Sequence, residues 1–165
     1  MTIEFSPFEA EALLVWGELA GAILDGHRRP RAQIADSFVY REPDTLLNRT
    51  AWIDGMGMAV KTVTVFPENP ADRYRAVNGA VSLYSDDHGV LEAIVDFHLV
   101  TRWKTAADSL VAARLLVPAA PESIVIVGAG HMARTMREAY GWLYPKAQFL
   151  VWNRTPAGAE DIAAH

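Results

Sequence analysis

The sequence predicts a mixed α/β protein built in two successive parts, and three features of its 165 residues carry that prediction. Short runs of β-branched and aromatic residues between positions 31 and 97, separated by glycine and proline, indicate a mainly antiparallel sheet. A helix rich in alanine and leucine follows at about 101–117. From residue 124 an apolar strand, a glycine-rich turn and a further helix open a parallel βαβ unit. The first part is therefore α+β, and the second begins a larger parallel sheet.

The first predicted element is a helix from Pro7 to about Asp25. Ser6 can cap it, Pro7 suits the first helical position, and Glu9 completes a capping box. Gly26 provides the C-terminal stop. Apolar residues recur at helical spacing along one stripe, which we interpret as a packing surface: Phe8, Ala12, Val15, Trp16, Leu19 and Ile23.

Strands are predicted after this helix with unequal clarity. Residues 31–41 alternate loosely and could form a strand, whereas residues 45–53 offer apolar side chains without a clear pattern. Residues 58–66 predict a strand that Pro67 ends, and residues 77–84 and 90–97 predict two strands joined by a polar hairpin loop.

The proline-containing segment Pro118–Pro121 ends the alanine-rich helix and is the predicted domain boundary, which gives domains 1–119 and 120–165. The last six residues resemble the opening of a further helix. Because a doubly wound sheet needs several more strands, we expect the chain to be the N-terminal part of a longer protein.

The stretch 124–133, IVIVGAGHMA, indicates dinucleotide binding. Its four β-branched residues predict a strand buried on both faces. Gly128, Gly130 and Ala133 then follow in G-x-G-x-x-A spacing, which permits a tight turn, a close approach to a pyrophosphate and close helix packing. The helix at 132–142 directs its first N–H groups and its positive dipole end toward the phosphates.

A second apolar strand at 148–152 follows this helix, as a dinucleotide-binding fold requires. The same local sequence could also belong to a βαβ unit that binds nothing, but the order of strand, turn, helix and strand favours dinucleotide binding. The predicted cofactor-binding residues of this loop are Gly128, Gly130, His131, Met132 and Ala133, with His131 shaping the loop rather than performing chemistry.

The residues after that second strand indicate a preference for NADP(H), with NAD(H) possible. Asn153 lies 25 residues beyond the first glycine, near the position that contacts the cofactor ribose. A carboxylate there would repel a 2′-phosphate, whereas Arg154 can bind one beside the neutral Asn153 and Thr155. The alternative is that Arg154 is only a solvated surface residue.

Lys61 is the predicted catalytic residue. It lies among apolar residues in the strand at 58–66, where it shares a face with Ala59, Val63 and Val65. Desolvation lowers the pKa of a lysine toward a range useful for acid–base chemistry. The alternative, which the pattern leaves open, is a lysine at a sheet edge with its charge in water.

Arg102, Lys104 and Thr105 form a second polar group near the predicted start of the helix at 101–117. Two cations and a hydroxyl next to a helix N-terminus suit a carboxylate or a phosphate. The alternative is a basic helix start on the protein surface.

Composition excludes several function classes. The net charge of −5 with scattered basic residues argues against nucleic-acid binding. The sequence contains no cysteine, no signal-peptide pattern and no segment apolar enough to span a bilayer, so we expect a cytoplasmic protein without membrane partners. The five histidines show no metal-ligand spacing, and no metal is expected.

Taken together, these motifs resemble the ornithine cyclodeaminase/mu-crystallin family. The resemblance runs from about residue 30 to the end of the chain, and the order of its motifs is specific. The matching stretches are KTVTVFPENP at 61–70, NGAVSLY at 78–84 with Gly89 after it, TRWKTAA at 101–107 and IVGAGHMA at 126–133.

The resemblance implies a substrate and dimerisation domain, closed by a segment from the C-terminus of the whole protein, and a Rossmann domain that binds NAD(P)(H). It implies that Lys61 lies near the reacting imine or carboxylate and that Thr105 helps to hold the cofactor phosphates. Arg31 resembles the family's first carboxylate-binding arginine, with Arg41 as the alternative because the spacing from Arg31 to Lys61 is longer than usual.

The chain departs from the family pattern at two points. Lys104 replaces the arginine of the T-x-x-R-T-A-A motif, so a point charge replaces a two-pronged carboxylate clamp. The family's catalytic aspartate lies in the later half of the Rossmann domain, beyond residue 165.

The function that the resemblance implies is an NAD(P)H-dependent reductase, or the matching dehydrogenase, acting on a small cyclic imine or amino acid. Lys61 would exchange a proton, and Arg31 with Lys104 would hold the substrate carboxylate. One alternative is ornithine cyclodeaminase, which forms proline and ammonia with recycled NAD, although the segment 153–155 argues against it. The other is a non-catalytic protein that binds the cofactor or a ligand.

Overall fold

The computed structural model describes residues 2–163 and divides into two compact units. The first unit contains the residues before Leu14 and the segment Asp25–Thr101, and the second contains Leu14–Leu24 and the residues from Arg102 onward. The division falls inside two helices, Trp16–His27 and Phe97–Leu116, and the predicted domains 1–119 and 120–165 stay a prediction. The cause of the division is local packing, because the rings of Trp16 and Trp103 stack with centroids 4.0 Å apart inside the second unit. The functional assignment of the two domains stays a prediction.

The first unit is a six-stranded sheet. Its strands are β1 Glu4–Ser6, β2 Gln33–Arg41, β3 Asp44–Ile53, β4 Gly57–Val65, β5 Val77–Tyr84 and β6 Leu91–Asp96. They lie in the order β1-β6-β5-β4-β3-β2, and all neighbouring strands are antiparallel except β1 and β6, which are parallel. The mainly antiparallel sheet of the prediction is thus present, and residues 45–53, whose pattern was unclear, lie in β3, which forms nine residue pairs with β2.

The predicted N-terminal helix from Pro7 to Asp25 is wrong in its first half. Residues Phe8–Leu13 form a 3-10 helix, and the α-helix α1 covers only Trp16–His27. Ser6 is not the cap of a helix, because it pairs with Val95 in the ladder between β1 and β6. A pairing partner 89 residues away thus overrides a local capping pattern.

The long helix α2 covers Phe97–Leu116 and begins four residues before its predicted start. Its true cap is Asp96, whose Oδ1 accepts hydrogen bonds from the backbone N–H groups of His98 at 2.8 Å and Leu99 at 2.9 Å. Arg102, Lys104 and Thr105 therefore lie beyond the first turn, where backbone N–H groups bond inside the helix. The prediction that these residues stand at a helix N-terminus is wrong.

The second unit contains the βαβ unit that the glycine motif predicted. Strand β7 Ser123–Val127 pairs in parallel with β8 Gln148–Trp152, helix α3 His131–Leu143 connects them, and helix α4 Pro156–Ala163 follows. The prediction of a strand buried on both faces is wrong for these residues. Val125 and Val127 are 61% and 74% exposed, because α3 and α4 cover only one face of the two strands.

Candidate functional site

The glycine-rich loop lies at the carboxyl edge of β7. Gly128 has φ of 107°, a conformation that side chains other than glycine rarely adopt, and its N–H donates to the carbonyl of Trp152 at 2.8 Å. Gly130 has extended backbone and directly precedes α3. A Cβ atom added to either glycine would meet no atom within 4 Å, so open space lies above both.

The start of α3 fits an anion. Its cap, Gly130, provides no side-chain hydrogen bond, and its first turn carries no acidic residue. The N–H of Ala133 bonds to the carbonyl of Gly130 at 3.0 Å, whereas the N–H groups of His131 and Met132 belong to the first turn and have no helical partner. Together with the glycine conformation, this arrangement suits a pyrophosphate.

The loop after β8 lies beside the glycine-rich loop. A Cβ atom on Gly158 would stand 3.1 Å from Cβ of Ala129 and 3.4 Å from Nδ2 of Asn153. The structure therefore brings the predicted phosphate-binding and ribose-binding segments to one edge of the parallel pair, as the prediction required. A depression of about 280 Å³ opens on the β8 side of this edge, lined by Asn153, Pro156 and Glu160 among others but by no residue of the glycine-rich loop.

Asn153 and Thr155 order this second loop. The side-chain amide of Asn153 donates to the carbonyl and to the hydroxyl of Thr155, each at 2.9 Å. Arg154 lies between them with an exposed side chain. No acidic residue occupies 153–155, so the segment carries the positive charge of Arg154 and no compensating carboxylate of its own.

Lys61 lies in the middle of the first unit's sheet. Strand β4 pairs with β3 on one side and with β5 on the other, and Lys61 is directly opposite Arg49 and Val81. The alternative of a sheet-edge lysine is therefore wrong. Lys61 is half-buried, and its neighbour on the same face, Val63, is only 5% exposed.

A charged row that sequence reasoning missed runs through Lys61. Asp36 of β2 is opposite Arg49 of β3, and Arg49 is opposite Lys61. The Arg49 guanidinium donates twice to the Asp36 carboxylate, Nε to Oδ1 at 2.8 Å and Nη2 to Oδ2 at 2.6 Å. The hydrogen bond from Arg49 does most to hold the pKa of Asp36 below its usual value; burial opposes it, and the charges of Arg49 and Lys61 lower the pKa further. The sequence feature that could have revealed this row is Glu42-Pro43. These two residues form the turn between β2 and β3 and so fix which residues of the two strands are opposite each other.

The two candidate carboxylate-binding arginines lie outside this row. Arg31 is exposed in the segment that precedes β2. Arg41, at the end of β2, pairs with Asp44 and places its guanidinium carbon 5.6 Å from the centroid of the Phe66 ring. By the alternation of a strand, Arg41 faces away from the side of the sheet that carries Asp36 and Lys61.

Lys104 and its neighbours in α2 are occupied by partners within the second unit. The Lys104 ammonium pairs with Asp108 one turn later, and Arg102 donates to the Glu138 carboxylate at 2.7 Å. The Lys104–Asp108 pair is exposed, so exchanging it for another carboxylate costs little. Thr105 is exposed on the same helix.

A separate concavity of about 570 Å³ opens on the sheet of the first unit, with Gln33, Thr50, Trp52, Met58, Val60 and Tyr84 among its lining residues. It contains none of the predicted catalytic or binding side chains. At its edge Asp86 accepts hydrogen bonds from the Trp52 indole at 2.6 Å and from the Gly55 N–H at 2.7 Å, and these bonds hold its pKa below the usual value.

Within residues 2–163, no helix combines the length and apolar character needed to cross a membrane. The same residues contain no group of three or more histidine, aspartate or glutamate side chains placed to hold a metal ion.

One curated relative is similar to this chain along most of its length. The Paracoccus denitrificans protein Delta(1)-pyrroline-2-carboxylate reductase is 41% identical over 155 residues, which are 93% of this chain and 49% of that protein. The chain thus spans about half the length of this curated relative.

Solved structures show the fold. The Thermococcus litoralis Delta(1)-pyrroline-2-carboxylate reductase, solved with NADH and L-proline, superposes with a TM-score of 0.80 at 22% identity. An archaeal alanine dehydrogenase dimer with bound NAD superposes with a TM-score of 0.85 at 21% identity. The matches cover 99% of this chain and 53% and 52% of those chains, respectively.

The sheet and the βαβ unit therefore form the predicted fold, a mixed α/β architecture with the start of a Rossmann-type unit. Residues 51–165 match the model of the family that the sequence motifs resemble. The chain belongs to the ornithine cyclodeaminase/mu-crystallin family.

Proposed function

We propose that the protein is an NAD(P)H-dependent reductase, or the matching dehydrogenase, acting on a small cyclic imine of the pyrroline-2-carboxylate or ketimine type. The observation that carries this proposal is the similarity to the Paracoccus reductase along nearly the whole chain. The two loops at the edge of β7 and β8 and the central position of Lys61 support it independently.

The residues of the second unit fit a dinucleotide. Gly128 and Gly130 leave open space above the loop, His131 and Met132 offer N–H groups, and Thr105 adds a hydroxyl for the phosphates. The nicotinamide of the bound cofactor supplies the hydride chemistry. The chain's own residues orient it and hold its negative charge.

Lys61 supplies or takes the proton in this proposal. A lysine ammonium can give a proton to the nitrogen of the substrate during reduction and can take it back in the reverse direction. Arg31 binds the substrate carboxylate with Lys104. Strand alternation argues against Arg41, because it points Arg41 away from the face of Lys61.

The preferred cofactor in this proposal is NADP(H). Arg154 supplies the charge for a 2′-phosphate, while Asn153 and Thr155 hold the loop and introduce no carboxylate.

Replacing Arg154 by alanine is expected to raise the Kd for NADPH about tenfold, by loss of one charge-assisted contact. The Kd for NADH should change by less than about twofold, since NADH has no 2′-phosphate. Isothermal titration calorimetry with both cofactors measures this difference, with Arg114→Ala as an exposed arginine control. Tighter binding of NADH than NADPH by the unaltered protein would contradict the assignment.

The proposed activity is tested by following NADPH absorbance on addition of pyrroline-2-carboxylate or piperideine-2-carboxylate to the complete protein. Oxidation of NADPH with formation of the cyclic amino acid supports the proposal. Release of ammonia from ornithine without net change in NADH would instead identify a cyclodeaminase. Cofactor binding with neither reaction would identify a non-catalytic binding protein.

We also propose a homodimer. Strand β2 is an edge strand whose apolar residues are exposed, including Ile34, Val39 and Tyr40 at 67%, 60% and 69%, and such an edge is normally covered by another chain. Light scattering after size-exclusion chromatography, with Val39→Asp as the disrupting variant, tests this assembly.

We place the protein in the cytoplasm, where the NADPH that the proposed reaction consumes is available; cell fractionation tests that compartment.

A further inference from the structure

The row Asp36–Arg49–Lys61 continues across the sheet as Val81 and Val95. Cross-strand partners in register project from the same face of a sheet, so the three charged side chains lie side by side on β2, β3 and β4. Of the strands adjacent to Lys61, β3 presents Arg49, with Asp36 of β2 beyond it, whereas β5 presents only Val81.

The two rows that flank this charged row on the same face are apolar from β2 to β6, and the first of them ends in Glu4 of β1, opposite Ala93. One consists of Ile34, Ala51, Ala59, Leu83 and Ala93, and the other of Phe38, Leu47, Val63 and Gly79. On this part of the sheet the charges are therefore confined to one row.

The geometry of the ion pair fixes the position of the Arg49 charge. Two parallel hydrogen bonds to Asp36 hold the guanidinium in plane, which a single contact would not do. The charge of Lys61 also acts on the Asp36 carboxylate, so the three groups form one electrostatic unit.

We propose that the Asp36–Arg49 ion pair is a positioning device for Lys61: Arg49 keeps a fixed positive charge beside the ammonium, Asp36 offsets it, and their balance sets the pH at which Lys61 releases its proton. The row carries one negative and two positive formal charges. Arg49 and Asp36 act through Lys61 and are positioning residues.

The two members of the pair should then have opposite effects when they are neutralised. Asp36→Asn leaves two neighbouring cations, which repel, so Lys61 should lose its proton at lower pH. Arg49→Met leaves Asp36 facing Lys61 across the row, which stabilises the ammonium, so Lys61 should lose its proton at higher pH. If the pair only stabilised the fold, the two substitutions would not shift the titration of Lys61 in opposite directions.

The titration of Lys61 can be measured directly, because the chain contains only three lysines, Lys61, Lys104 and Lys146. NMR of the chain labelled with ¹³C at the lysine ε-carbon follows each lysine separately through a pH titration, and Lys61→Arg assigns the Lys61 signal. We expect the midpoint for Lys61 to move by about half a pH unit down in Asp36→Asn and up in Arg49→Met, a modest size because the ion pair is partly exposed.

Matched controls come from the exposed ion pair Asp25–Arg28, which lies outside the sheet. Asp25→Asn and Arg28→Met change the net charge of the protein by the same amounts and should leave the Lys61 midpoint unmoved. Thermal unfolding of each variant reports whether it remains folded. Arg49→Gln, which keeps a hydrogen-bonding head group, replaces Arg49→Met if that variant unfolds.

Opposite shifts of the Lys61 midpoint, with unmoved controls, support the inference. Shifts in the same direction, or shifts in both variants no larger than in the controls, overturn it. The consequence for turnover, a matching displacement of the pH profile of kcat, rests on the proposed function. If the titration shifts but the complete protein reduces no imine, the proposed function fails and the electrostatic role of the pair stands.

Discussion

Replacing Lys61 by alanine is expected to lower kcat for imine reduction by about 100-fold or more, which is the usual contribution of a positioned acid–base group. The physical reason is that Lys61 holds a transferable proton in the middle of the sheet, on a half-buried site flanked by apolar rows. The Kd for NADPH should stay within about twofold of the original value, because the predicted phosphate contacts all lie on other residues. Steady-state kinetics and calorimetry on the complete protein measure the two quantities.

Two further variants make the result specific for the proton. Lys61→Arg keeps a positive charge but cannot release a proton near neutral pH, so it should remain as impaired in kcat as the alanine variant. Lys146→Ala removes an exposed lysine from the turn after α3 and should retain full turnover. Full activity of Lys61→Ala would show that the acid–base role belongs to another group.

The parts of the fold that sequence reasoning predicted correctly are those that local patterns determine. The G-x-G-x-x-A spacing, the apolar strands on either side and Pro145 after the helix lie within a few residues of the structures they specify. The burial of β7 was predicted wrongly because exposure depends on what covers a strand. The four residues Ile124–Val127 alone do not carry that information.

Distant pairing explains the other differences. Strand β1 forms by pairing with β6, which lies 89 residues later in the sequence, so no residue close to β1 predicts it. Strand β2 is exposed along its whole length, so its sequence carries no strict alternation of apolar and polar residues. The Asp36–Arg49 pair joins residues 13 positions apart, and its place beside Lys61 becomes visible only when two registers are known.

For the candidate site, too, local sequence patterns predicted some of the positions and not others. Residues 128–133 and 153–155 lie at one edge of the parallel pair, as their spacing indicated. The placement of Lys104 and Thr105 at the start of α2 was predicted wrongly because Asp96, not a residue near Thr101, caps that helix. A cap four residues earlier moves Lys104 from the helix end to its second turn, where it binds Asp108.

The two glycines of the loop after β7 are expected to respond differently to the same substitution. Gly128→Ala forces a Cβ atom onto a residue with φ of 107°, so it should lower the free energy of unfolding by about 1–3 kcal/mol. Gly130→Ala has no such strain, since its φ is −83° and the added methyl group meets no protein atom within 4 Å. Thermal and urea unfolding of both variants, with Gly21→Ala in α1 as the unstrained control, should therefore separate Gly128 from the other two glycines.

The Kd values for NADPH should order these glycine variants differently from their free energies of unfolding. The methyl group of Gly130→Ala enters the open space that the proposal gives to the pyrophosphate, so the Kd for NADPH should rise at least about tenfold although the protein is as stable as before. Gly21→Ala should bind NADPH normally. If Gly130→Ala bound NADPH as tightly as the unaltered protein, the pyrophosphate would not lie over this glycine. Loss of binding without loss of stability at Gly130 would mean that its missing side chain serves the ligand, whereas the missing side chain of Gly128 serves the fold.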